Sequence, residues 1–189
     1  MPKLWNETVD AHRRTVREAI LDTTAQLVGQ HGVTSVTMSQ IAHHVGIGRA
    51  TLYKYFSDVG AILEAWHETQ VTTHLHQLTS VVAETDVSER LDTVLAKYAG
   101  ILREAGRQHD TELGAVLHRS PHVARAQQQL RHLLTDVIAE AAAAGTVRTD
   151  IAAEELATYC LHALTAATEL STDTAVAHLV ALTRAGMNP

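Results

Sequence analysis

Residues 37–56 read TMSQIAHHVGIGRATLYKYF, and the fold of the chain turns on this stretch. Thr37 precedes Gln40 by three positions. Its hydroxyl can accept from the amide of the third helical residue while Gln40 reaches back to the Thr37 amide, a capping box that starts a short helix. Gly46 ends that helix, because a sharp turn needs a residue free to take a positive φ. A second short helix runs from near Gly48 to about Tyr55. Ile41, Val45, Ile47 and Leu52 can close a small core between the two.

Working outward, a longer helix fits about 11–30, where Val16, Ile20, Leu27 and Val28 share a face and Gly32 stands at the left-handed position after the end. Residues 1–10 show no periodicity and read as a loose arm. Three helices, the last two joined by Val45-Gly46-Ile47-Gly48, make a helix-turn-helix whose third helix can present its N-terminus to the major groove. Arg49, Ala50, Thr51, Tyr53, Lys54 and Tyr55 lie on or near that helix. Arg49 has the planar fork that pairs bidentately with guanine O6 and N7. The hydroxyls of Thr51, Tyr53 and Tyr55 suit phosphates. Thr37, Ser39 and the first amides of the preceding helix place partial positive charge against a further phosphate. Arg13, Arg14 and Arg17 read equally as a basic approach to the DNA site or as a solvated helical turn, with Glu18 and Asp22 close by.

Beyond residue 58 the pattern stays helical: about 59–82, 87–105, 110–119, 122–144, a helix through Leu156, Cys160 and Leu164 capped by Asp150, and 173–185. Apolar residues make up 46% of the 189 and aromatics 4%, and three prolines leave only Pro121 inside the body, a composition suited to helices. The expected fold is therefore all-α, a three-helix helix-turn-helix domain over 1–58 and a roughly six-helix domain over 59–189.

Charge divides along the same line. The net −6 looks wrong for a nucleic-acid binder, but residues 1–58 hold six Lys/Arg against five Asp/Glu, and residues 59–189 hold nine against sixteen. A polyanion site belongs in the first part. Cys160 is the only cysteine, so no intrachain disulfide is possible, and its apolar stripe predicts a buried, inert thiol. With no signal pattern and no apolar run long enough to span a bilayer, the chain reads as cytoplasmic.

The run from Ile20-Leu-Asp-Thr-Thr-Ala-Gln-Leu27 through Ile41-Ala42 and Gly46-Ile47 to Thr51-Leu52-Tyr53-Lys54-Tyr55-Phe56 resembles the TetR/AcrR family of bacterial transcriptional regulators. A Gly145-x-x-Arg148-x-Asp150 turn, common in that family before the last two helices, is also present. The resemblance implies a homodimer on operator DNA, with the last two helices of each subunit packed as a four-helix bundle. It also implies an effector pocket among the central helices, and repression relieved when a small molecule separates the two reading heads. The alternative is a DNA-binding protein without an effector. Two positions depart from the family. Gly48 replaces a Ser or Thr helix cap, a minor cost. Asp58-Val59-Gly60 stands where relatives have a Lys-Glu that grips a phosphate, leaving Ser57 to cap the next helix.

Trp66, Tyr98, Leu102, His118, Leu134 and Tyr159 are the candidate pocket residues by their place on central helices. Small residues from Ala152 to Ala167, apolar on more than one side, predict dimerisation through about 150–186. No metal or cofactor is expected. His74 and His76 fall on different helical faces, Pro121 separates His118 from His122, and there is no His-Glu-x-x-His or cysteine cluster. Neither a glycine-rich phosphate loop nor a set of convergent catalytic groups is present, so the chain is not read as an enzyme.

Overall fold

The computed structural model describes residues 3–108 and 121–189, and every described element is helical. Helix α1 spans Lys3–His31, α2 Met38–Val45, α3 Arg49–Tyr55, α4 Val59–Glu84, α5 Val87–Gln108, α6 Pro121–Ala143, α7 Ala153–Leu164 and α8 Asp173–Ala185. Short 3-10 turns lie at Val33–Ser35 and Thr165–Glu169. The chain divides into two compact units, Met1–Gln70 and Val71–Pro189, and the division falls inside α4. The helix expected around 110–119 lies outside the described residues.

In the first unit, α1 buries Ile20, Leu21, Thr24, Leu27 and Val28, the spacing of one helical face. The Thr24 hydroxyl, inside that face, is satisfied by donating to the Ile20 carbonyl at 2.7 Å. Ile41, Leu52 and Ile62 are fully buried and complete the small core. Each such side chain contributes about 1.5–3 kcal/mol by leaving water. The expected loose arm is corrected: α1 already begins at Lys3. Nothing between Lys3 and Asp10 breaks a helix, and once the core anchors the later turns, each added residue gains a hydrogen bond. Gly32 does end α1 with φ 79°, but its ψ of 156° places it in a region open essentially to glycine alone.

The second unit has a larger core, in which Val94, Leu95, Leu134, Ile138, Val147, Leu164 and Met187 are essentially inaccessible. Helix α6 stops in a left-handed turn at Gly145, φ 74°, with the Thr146 amide donating to Ala141 and the Gly145 amide to Ala142. The chain end is tied to this turn: the Arg148 amide donates to the Met187 carbonyl at 2.9 Å. Cys160 is buried, its thiol donates to the Met187 sulfur at 3.3 Å, and burial pushes its pKa up to about 12. That is the inert thiol expected from its stripe.

Two caps differ from expectation. Asp150 does not cap α7, which starts after Ala152 with no side-chain cap. Its carboxylate is instead held by Arg148 through Nε at 2.7 Å and Nη2 at 2.6 Å, a bidentate pair that outcompetes a single amide. At α4 the cap is Asp58 rather than Ser57. Asp58 Oδ1 accepts from the Ala61 amide at 2.9 Å and the Ser57 hydroxyl donates to Oδ2 at 3.0 Å. A carboxylate is the stronger acceptor and is favoured at the positive end of a helix.

Candidate nucleic-acid interface

The capping box forms as the Thr37–Gln40 spacing requires. The Gln40 amide donates to the Thr37 hydroxyl at 3.3 Å, and the Thr37 amide donates to Gln40 Oε1 at 2.9 Å. The Thr37 hydroxyl also donates to Gln40 Oε1, at 2.8 Å. Both polar groups of Thr37 are thus committed to its own helix. The groups at this end that remain for a phosphate are the first-turn amides of Met38 and Ser39 and the exposed Ser39 hydroxyl.

Gly46 takes φ 76°, ψ 27°, and its amide bonds back to the Ala42 and His43 carbonyls. Gly48 is extended at φ −70°, ψ 146°, and its carbonyl accepts from the Thr51 and Leu52 amides. Those two glycines re-aim the chain within three residues. Helix α3 is then pinned by Leu52, fully buried, and by Phe56, buried where the helix closes. With that face sunk in the core, Arg49, Ala50, Thr51, Tyr53 and Lys54 are all exposed, and Tyr55 is half-buried. A Tyr53 ring 49% exposed is a large apolar surface left in water on a helix otherwise anchored. In the supporting helix, His44 Nδ1 lies 2.8 Å from the Gln40 carbonyl, with His43 edge-on to its ring.

The candidate pocket residues do not form one set. Leu134 is buried in the core of the second unit, with Tyr98 and Leu102 packed against it. Burial raises the Tyr98 phenol to about 12. Tyr159 is 45% exposed on α7, Trp66 is half-buried in the first unit, and His118 lies outside the described residues. Two grooves occur elsewhere in the second unit. One, about 390 Å3, runs between α4 and α6 with Val71, Leu75, His76, Arg125 and Gln129 on its walls. The other, about 700 Å3, lies between α5 and α8, floored by Ala96, Gly100, Ala177 and Ala181 and bordered by Arg103 and Arg184. Val71 and Leu75 stand one helical turn apart on α4; that a polar wall faces them from α6 had no signal in the sequence.

The apolar run taken as a dimer face is largely intrachain core, since Leu156, Ala157, Cys160, Leu164 and Ala167 are all buried within one subunit. The exposed large apolar residues of the last two helices are Tyr159 and Leu182, the latter 70% exposed.

Residues 20–66 match the family model for bacterial regulatory proteins of the tetR family, and residues 49–189 match that for the C-terminal domain of SbtR-like transcriptional regulators. A Mycobacterium tuberculosis protein carried under the name mycofactocin biosynthesis transcriptional regulator MftR is 35% identical over 78 residues. That stretch is 41% of this chain and 37% of the relative. Among solved structures, a TetR/AcrR family regulator from Thermobifida fusca superposes with a TM-score of 0.78 at 18% identity, covering 92% of this chain and 98% of that one. FadR of Bacillus subtilis, solved with stearoyl-CoA, gives 0.66 at 16% identity, covering 90% of this chain and 99% of that one.

Proposed function

The chain is a member of the TetR family of transcriptional regulators with an SbtR-like C-terminal domain, and we propose that it is a homodimeric repressor released from its operator by a small molecule. The observation that carries the DNA-binding part is the outward face of α3, where Arg49, Thr51, Tyr53 and Lys54 are exposed beside a buried Leu52. In this reading Arg49 reads a guanine edge, Thr51, Tyr53, Tyr55 and Lys54 hold phosphates, and Ala50 lets the backbone approach. Ser39 and the first amides of α2 take a further phosphate, with Thr37 holding that helix end in shape. The reading head is residues 1–58, and residues 59–189 bind the effector and the partner subunit.

The groove between α4 and α6 supports the effector reading. Its volume lies within the usual range of small-molecule sites, and it pairs an apolar floor, Val71 and Leu75, with a few polar groups, His76, Arg125 and Gln129. Tyr98, Leu102 and Leu134 would shape the interior behind it. Exposed Tyr159 and Leu182 support a partner helix pair on α7 and α8. Among the described residues no helix is long and apolar enough to cross a membrane, which fits a cytoplasmic regulator.

Footprinting on the region upstream of the chain's own gene tests the proposal. Arg49→Ala should cost about 1–3 kcal/mol on the protected site and relax preference at one base pair of each half-site. Unchanged affinity and preference would overturn the base-reading assignment.

A further inference from the structure

We propose that Arg17, with Arg13 one helical turn before it, forms a phosphate clamp on the DNA-reading unit, replacing the contact that Asp58-Val59 does not supply. The inference rests on the DNA-binding reading above and adds binding residues to it.

The geometry begins with Phe56. It closes α3, and it is buried, so its ring is a fixed platform at the C-terminal end of the reading helix. The Arg17 guanidinium carbon lies 5.4 Å from the centroid of that ring. An arginine on an aromatic face is held by the ring's negative quadrupole, and its in-plane N–H groups stay free to meet an oxyanion. Helix α3 has seven residues, about 10 Å of rise, close to the width of the major groove. When such a helix occupies the groove, its C-terminal end stands at the groove's edge, where the phosphates are. Arg17 is therefore positioned beside a phosphate strand by a contact within its own unit.

Arg13 extends the site. It lies four residues before Arg17, on the same face of α1, and both side chains are exposed. Among the described residues neither has an ion-pair partner, although Asp10 and Glu18 are near in sequence. Two cations without an ion pair among the described residues, in register on one helix face, can meet neighbouring phosphates of one strand.

The start of α4 explains why a clamp is needed here. In this chain the Asp58 carboxylate occupies the positive end of α4, and its hydrogen bonds from the Ala61 amide and the Ser57 hydroxyl hold its pKa below the ordinary value. The carboxylate stays ionised and fills the position a phosphate would take. Arg17, resting on the residue two before Asp58, adds positive charge to the edge where Lys54 stands in the last turn of α3.

The test is a salt titration of binding by full-length protein to a fluorescent mixed-sequence duplex and to the region upstream of its gene. In a dimer each arginine replaced removes two phosphate contacts, so Arg17→Gln should flatten the log–log salt slope by about 1.8. Arg13→Ala should flatten it by a similar amount, and the double variant by about 3.6. Between 50 and 200 mM salt the loss per site corresponds to a change of about twelvefold in salt sensitivity, equal on both DNAs. Arg17→Lys should keep most of the slope. Arg13 is exposed, so its variant reads DNA contact even if Arg17→Gln lowers the melting temperature. Wild-type slopes in both single variants would overturn the clamp alone, leaving the regulator reading intact. A wild-type protein with no salt-dependent binding to either duplex would overturn the DNA-binding reading and the clamp with it.

Discussion

In Val71–Pro189, Arg90, Arg103, Arg148 and Arg184 face Glu140, Asp173, Asp150 and Asp92 respectively. In Met1–Gln70, Arg13, Arg14, Arg17 and Arg49 face no carboxylate among the described residues. Arg90, Arg103 and Arg184 are mostly covered, and a covered cation must be compensated within the fold or cost several kcal/mol. The first unit's arginines are exposed and need no such compensation, so their charge remains for another molecule. Net charge, near balance in the first part and strongly acidic in the second, described this difference only weakly. Pairing describes it residue by residue. Arg125 and Arg131 have no ion pair among the described residues; Arg131 donates to the Thr158 hydroxyl at 2.7 Å, and Arg125 borders the groove between α4 and α6.

The largest effect should come from the partner face of the second unit. Leu182→Glu places a charge on an exposed apolar position, so the fold should hold while light scattering reports a monomer and operator binding is lost. An intact dimer would remove Leu182 from the interface. The same substitution at Leu164, within the run expected to form the dimer face, would unfold the subunit instead because it has no exposed surface.

Next in size, Gly106→Ala should destabilise the second unit by about 3 kcal/mol in a denaturant titration. A methyl there would lie 2.8 Å from the Thr168 Cα and closer still to its carbonyl, so two backbones would have to part. A loss below about 0.5 kcal/mol would show that α5 can shift from the 165–169 turn at little cost.

Arg184→Ala breaks the comparison most directly. Its guanidinium donates to the Thr146 carbonyl at 3.0 Å and to Asn188 Oδ1 at 2.9 Å, and Asp92 lies 2.9 Å from Nε. Removing it should cost about 2 kcal/mol of stability while leaving the salt slope of DNA binding unchanged. Arg49→Ala should lower operator affinity and base preference while leaving stability unchanged. If both variants altered the same quantity, the division of roles between the units would fail.

The smallest effect is at Asp58, a fully exposed cap. Its folded pKa is lowered below 3.8, so its contribution is complete above the unfolded value and fades as pH falls through the folded one. Asp58→Asn keeps a capping oxygen without the titration. Its melting temperature should sit slightly below wild type near neutrality, and the two curves should converge as pH drops below 3.8. Curves that stay parallel well below that pH would mean the carboxylate is not what holds the start of α4.

The helix-turn-helix was readable because its signals are local. Thr37 and Gln40 are three residues apart, Gly46 and Gly48 bracket the turn, and Leu52 and Phe56 follow at helical spacing, so the chemistry that shapes the site lies within twenty residues of chain. The same locality made the end of α6 at Gly145 and the span of α8 legible. Caps were read less well. Ser57 and Asp58, or Asp150 and Arg148, compete for the same groups, and which acceptor prevails depends on geometry that spacing alone does not carry.

By itself, the sequence determined the all-α class, the outward face of α3, and the concentration of positive charge relative to acid in the first part of the chain. Only the tertiary structure decided which apolar faces are core and which are surface. Leu164 and Leu182 both sit on apolar helical stripes, and periodicity cannot tell them apart. One is enclosed by packing against α5 and α6 partners distant in sequence, and the other is left exposed by the same packing. The Arg17–Phe56 contact is of the same kind, joining residues 39 positions apart, and the spacing of the arginines along α1 carries no sign of it. Local hydrogen bonds are written in short spacings; burial and long-range charge pairing are properties of the folded chain.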